Sequence, residues 1–269
     1  MENKGIVYGV LTVVVLAAAF GGGYWYMQNR NTSAPQNSGK IIFSITDAAA
    51  SMNGVTSVQM TASNVQLHST AQGWVSVPGG PKQYDLLALN ASGKVVFQAS
   101  ADVAADTYNQ IRMHIDNVTV VKNGVSTQAT LPMQDMTVNG NVVVRSGGTA
   151  SVKTDFLADK SLHLTSQGQF IFAPVVTLET RNNANVQVAS DGGVTIVGGN
   201  IDSSLNVGMD IDGTMKTDFI LDATAGVLIN NGVIQLQGNS GATTNAGAGA
   251  PINTNLNGQV NTNVNVGGY

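Results

Sequence analysis

Three histidines, His68, His114 and His163, and no cysteine bound the acid–base and metal chemistry open to this chain. The histidines stand 46 and 49 positions apart, each within an apolar run. No H-E-x-x-H spacing puts two imidazoles on one helix face, and no G-x-S-x-G elbow presents a nucleophile. Their expected role is structural, on strand faces. Without cysteine, disulfides, thiol catalysis and Cys-ligated metals are excluded. Asp47, Asp85 and Asp155 each fall at a strand edge, where a carboxylate caps backbone N–H groups; a Ca²⁺ site needs about six to eight converging oxygens. Asp102 and Asp106 flank a turn, and two carboxylates are what glycoside hydrolysis uses, but no nearby signature supports that pairing. Asp210-Ile211-Asp212-Gly213 resembles part of a Ca²⁺ loop, yet the Gly and Glu of the EF-hand spacing do not follow, which leaves a hairpin. Trp74 offers a ring for stacking on a sugar, against the commoner role of a core tryptophan. The expectation is therefore no catalytic, cofactor-binding or metal residue, no cofactor, and no enzyme activity.

The elements that carry these residues read as β structure. Ile41, Phe43 and Ile45 alternate, and Val58, Met60, Ala62, Val65 and Leu67 show a broken alternation. Trp74, Val75 and Val77 follow a Gln72-Gly73 turn, and Tyr84 to Leu89 is a short apolar run among the strands. From Tyr108 to Ile115 the pattern places Tyr108, Gln110, Arg112 and His114 on one face and Asn109, Ile111, Met113 and Ile115 on the other. Asn123-Gly124 between two Val-rich runs is a tight-hairpin signal. About nine or ten strands spaced by turns between 40 and 181 predict a sandwich or barrel. Fourteen of the sixteen acidic residues are Asp, a choice that suits turns and caps better than helices.

Several ordered motifs carry a resemblance: G-K-I-I-F-S-I-T-D at 39 to 47, a strand ending at His68, Trp74-Val75, and Tyr84-Asp85-Leu86-Leu87-x-Leu89. Tyr108-x-Gln110-Ile111-Arg112, Asp155-Phe156 and Phe172-x-Pro174-Val175 follow in order. Over residues 40 to 181 the chain resembles the prokaryotic family catalogued as domain of unknown function 4382. The resemblance implies an exported β-sandwich, often membrane- or lipid-anchored, with no established activity. The chain departs from the family pattern after Thr46-Asp47, where Ala48, Ala49 and Ala50 stand in place of a proline.

Ahead of this region, Ile6 to Tyr26 is uncharged over 21 residues between Lys4 and Arg30. As a helix it would reach about 31 Å, a bilayer-spanning length, with Tyr24, Trp25 and Tyr26 at interface depth. The reading is an uncleaved anchor at 1–30 that tethers the bulk of the chain outside the cell membrane. Cleavage at the Ala17-Ala18-Ala19 site and pilin-like processing after Lys4-Gly5 are the alternatives. A polar linker at 31–39 leads into the β-sandwich at 40–181. An acidic β-rich extension follows at 182–238, where Lys216 alone opposes six Asp. The last 47 residues carry no charge. Sequons at Asn31, Asn90 and Asn117 fit export but arise readily by chance in an Asn- and Thr-rich chain.

In the tail at 239–269, every odd position from Asn253 to Asn265 is an amide, so an extended segment would present one amide face and could pair with a sheet edge. With no basic stripe, nucleic acid is excluded as a partner. The fold expected is all-β, an Ig-like or transthyretin-like sandwich preceded by one transmembrane helix. The function expected is a membrane-anchored extracytoplasmic protein of surface, adhesion or ligand-binding type, taking a surface glycan or a protein. A filament subunit, self-associating through its C-terminal strand, is the alternative, and a hydrolase of cell-surface polymer comes third.

Overall fold

Alternation of apolar and polar residues sends one set of side chains into a shared interior and the other to solvent, and two sheets close over that interior. The computed structural model describes residues 37–221, 227–230, 233–237 and 243–245. Ile6 to Tyr26 and the amide-patterned tail from Ile252 lie outside the described residues. Among those described, no helix is long and apolar enough to cross a membrane.

The chain runs through β1 (Ser38–Asp47), β2 (Val55–Ser69), β3 (Gly73–Val77), β4 (Lys82–Asp85), α1 (Leu86–Ser92), β5 (Val96–Ala104) and β6 (Asp106–Lys122). It continues as β7 (Val125–Ala129), β8 (Asp135–Val144), β9 (Thr149–Phe156), α2 (Ala158–Ser161), β10 (Leu162–Leu164), β11 (Phe170–Phe172) and β12 (Val175–Asn182). Beyond these come β13 (Asn185–Val188), β14 (Val194–Val197), β15 (Asn200–Met209) and β16 (Met215–Thr217). The last three strands are β17 (Val227–Asn230), β18 (Val233–Gln237) and β19 (Thr243–Asn245).

The first sheet has the order β16-β15-β12-β9-β1-β5 and is antiparallel except for the β1–β9 pair. The second is built on the long strands β2 and β6, with β3 and β4 on β2 and with β7 and β8 on β6. Phe43, Val152, Phe156 and Leu178 of the first sheet share one apolar core with Met60, Leu67, Ile111, Met113 and Val138 of the second. The acidic stretch after Asn182 is continuous with the sandwich, because β15 extends the first sheet along β12.

Several local expectations match the structure. Asn123 and Gly124 both take positive φ (51° and 79°), as the tight turn joining β6 to β7 demands. Asp210 to Gly213 forms the β15–β16 hairpin, with Gly213 N–H donating to Asp210 O at 2.9 Å. The Asn90 side-chain amide donates to Ala49 O, and the Asn117 side chain accepts from Thr61 Oγ1 at 3.4 Å, so two of the three sequons are engaged within the fold.

Two expectations are corrected. The run Tyr84 to Leu89 is not one strand: after Asp85 the chain turns into α1, whose buried face is Leu86 and Leu89. Asp85 Oδ1 accepts from Ala88 N–H at 3.3 Å as the helix N-cap, and Gly93 closes the other end at φ 60°. Tyr108 is likewise fully buried and does not share a face with Arg112. The pairing with β8 slips at Asn109, which opposes Gly140 and Asn141 together, and Tyr108 and Ile111 both point inward.

Candidate functional site

Bulges decide what the outer face of the second sheet displays. Along β2 the inward positions Val58, Met60 and Ala62 would continue to 64, 66 and 68. Two residues, Asn64 and Val65, instead oppose a single residue of β6, because Ser63 pairs with His114 and Gln66 with Arg112. Asn64 takes φ 46° at this point. The phase flips, Val65 and Leu67 enter the core, and Gln66 and His68 turn outward. On β6 the phase shifts at Asn109, which opposes two residues of β8, Gly140 and Asn141, and Gln110, Arg112 and His114 turn outward. The break in the sequence pattern between Ala62 and Val65 was the visible trace of this device.

The displayed face is polar, with one aromatic platform. Trp74 is 38% exposed and stands outside the core, against the commoner expectation for a tryptophan. Arg112 Cζ lies 3.9 Å from the Trp74 ring centroid, and the His68 ring sits 5.0 Å away at a 55° tilt. Arg112 Nε–H donates to Thr137 Oγ1 at 3.2 Å, and no carboxylate pairs with Arg112 among the described residues. His114 Nδ1 is 2.6 Å from Asp135 Oδ1, and its Nε2 is 4.0 Å from Asp116.

Two shallow depressions flank Arg112. One, of about 400 Å³, is bordered by Asn64, Gln66, Ser76 and His114. The other, of about 460 Å³, is bordered by Gln110, Asn139 and Met215. Arg112 and Asp135 border both.

The remaining sequence candidates are dispersed. His68 and His114 share this outer face, while His163 is buried on the separate β10–β11 ribbon. Asp106 accepts from Ser69 Oγ at 2.6 Å and from Thr107 N–H at 2.7 Å, and Asp102 is exposed opposite Lys40. Asp210 and Asp212 accept bonds from Lys216 and Thr214 within their hairpin.

Asp47 is buried and accepts from Ala158 N–H at 3.0 Å through Oδ1. Its Oδ2, Asp155 Oδ1 and Asp159 Oδ1 are buried without a hydrogen-bond partner among the described residues. Burial first, and the neighbouring Asp155 and Asp159 carboxylates after it, push Asp47 up to about 7. Among the described residues no group of three or more His, Cys, Asp or Glu is arranged to hold a metal ion.

Fold and face together define an all-β sandwich with a polar, tryptophan-bearing outer sheet surface. The chain belongs to the family described as domain of unknown function DUF4382, whose model matches residues 38–174. No curated protein and no solved structure matches it. What the sequence reading missed was Arg112: alternation put it on a strand face, but its contact with Trp74 needs the order β3-β2-β6, which pattern alone does not give.

Proposed function

We propose that this chain is a non-catalytic, membrane-anchored extracytoplasmic protein that binds a surface ligand, with the outer face of the second sheet as its binding surface. The observation that carries the reading is Arg112, which lies over the partly exposed Trp74 ring and borders two depressions. A rigid aromatic ring, a guanidinium and flanking amides suit recognition, because ring and cation supply contact energy while the amides supply direction. The uncharged segment Ile6 to Tyr26 supports the anchor, and the character of the passenger, short β runs with Asn- and Gly-rich turns, supports its placement outside the membrane. Within the all-β class, the Ig-like reading is supported by Tyr108, whose hydroxyl donates to Ala104 O at 3.0 Å near the start of β6, the geometry of a tyrosine corner.

The test is a screen of the full-length chain against immobilised cell-surface polysaccharides and proteins, repeated with Trp74→Ala. Loss of the captured ligand in the variant, with the circular dichroism spectrum unchanged, is the expected result. Full retention of every captured ligand in both Trp74→Ala and Arg112→Gln would sink the assignment of this face.

A further inference from the structure

We infer that the ligand of this face is an acidic saccharide, a chain bearing uronic acid carboxylates, an inference that rests on the face being the binding surface. Arg112 is the group that selects it. Arg112 Cζ lies over the Trp74 ring at 3.9 Å from its centroid, and the Nε–H is held by Thr137. The two Nη groups make no hydrogen bond and pair with no carboxylate among the described residues, and Arg112 borders both depressions. An in-plane pair of N–H donors is the arrangement that grips a carboxylate in two parallel bonds.

Asp135 borders the same two depressions but is turned to His114 at 2.6 Å, so its charge is engaged beside the arginine rather than on it. Apart from Val77 and Pro78 in one depression and Met133 and Met215 in the other, the lining is mainly polar and suits sugar better than peptide. Gln66, Ser76, Gln110 and Asn139 offer amides and a hydroxyl, which both donate and accept and so match ring hydroxyls. A peptide site would instead centre on a desolvated apolar pocket. Each depression, at about 400 and 460 Å³, falls in the range of small-ligand sites, and Arg112 divides them. Successive sugar residues would lie on either side of the arginine, with the acidic group against it.

Calorimetric titration of the full-length chain with oligomers of galacturonic acid, and with the matching neutral galactose oligomers, tests this. The acidic oligomer is expected to bind roughly tenfold or more tightly than the neutral one, since a charge-assisted bidentate contact is at stake. Arg112→Gln should erase that difference, Arg112→Lys should restore part of it, and Trp74→Ala should weaken both sugars. Added salt should weaken only the acidic oligomer. No binding of the acidic oligomer, or equal binding of the two sugars by the parent chain, would overturn the inference. If Trp74→Ala weakens both sugars and Arg112→Gln changes neither, the face stands and its acidic specificity is wrong. If neither substitution moves any binding, the face itself is wrong.

Discussion

Arg112 and Trp74 meet although their strands are not neighbours: β2 runs between β3 and β6, and the two side chains close over it with 3.9 Å from Cζ to the ring centroid. Two interstrand spacings amount to about 10 Å of sheet, which only the long arginine stem and the wide indole can cover. The contact rigidifies a platform that would otherwise be two mobile surface side chains. A double-mutant cycle of Trp74→Leu and Arg112→Gln, followed by urea unfolding, should show a coupling of about 0.5–1 kcal/mol. Strictly additive effects would mean that the two side chains do not act as a unit.

Asn64 sets the phase of the outer face, at φ 46° between the inward-facing Ala62 and the inward-facing Val65. Asn64→Gly should be tolerated, because glycine adopts positive φ without strain. Asn64→Val should cost about 1–2 kcal/mol, because a β-branched residue pays the full left-handed penalty. Deleting Asn64 should still give a folded chain with Val65 and Leu67 in the core, because Ala62, Ser63, Val65, Gln66 and Leu67 then alternate without a break and only the bulge is lost. Urea midpoints of the three variants decide the matter, and a deletion variant that fails to fold would refute Asn64 as the extra residue of the bulge.

Much of this was legible in the chain because the apolar period records burial. The gap between Ala62 and Val65 marked the first bulge, and Asn123-Gly124 marked its hairpin. The second bulge was hidden, since Tyr108 through His114 reads as unbroken alternation in letters, and only the pairing of Tyr108 with Val142 and Gln110 with Asn139 exposes the slip. The helix at Leu86 was hidden as well, because four apolar letters fit a buried strand or a buried helix equally. The meeting of Trp74 and Arg112 depends on strand order, which no local pattern carries.

Asp85 provided the overlooked helix signal and leads to a further prediction. Its Oδ1 caps Ala88 N–H while its Oδ2 accepts from Ser57 Oγ at 2.8 Å, so one carboxylate both starts α1 and ties it to β2. Asp85→Ala should destabilise by about 1–2 kcal/mol, and Asp85→Asn, which can still cap, by less. Hydrogen exchange at the Ala88 amide should quicken in the alanine variant ahead of global unfolding. An unchanged rate there would deny Asp85 its capping role.

Asp47 makes stability depend on pH. Its folded-state value is raised from 3.8 to about 7, chiefly by burial and further by Asp155 and Asp159, which share its corner; Asp155 is itself raised by burial. The folded chain therefore holds this proton more tightly than the unfolded one. The group favours folding most when protonated in both states, below about pH 4, and that advantage declines as pH rises towards 7. Above that, the charged form carries a penalty of about 4 kcal/mol. Asp47→Asn keeps the acceptor for Ala158 N–H and removes the titration, so it should be the more stable chain at pH 8 and flatten the profile between pH 4 and 7. Parallel urea-midpoint profiles for the two chains would rule this out.

The open side of β8 shows how the acidic stretch after Asn182 serves the sandwich. β6 pairs with one side of β8, and on the other Ser203 Oγ accepts from Asn141 N–H at 2.9 Å while Asp202 Oδ2 accepts from Val143 N–H at 3.1 Å. Thr180 Oγ1 donates to Asn141 O at 2.6 Å, so side chains of β12 and β15 close the edge of the opposite sheet. Free N–H groups on such an edge invite pairing with another chain, and side-chain acceptors remove the invitation. Asp202→Ala combined with Ser203→Ala should therefore lower stability by about 1–3 kcal/mol and raise concentration-dependent association of the residue 37–269 region carried in the full-length chain. Lengthening the exposed strand cannot explain such an association, because neither substitution alters β6 or β8. A sedimentation profile and a melting temperature both equal to the parent's would show that the edge is protected by something other than these two side chains.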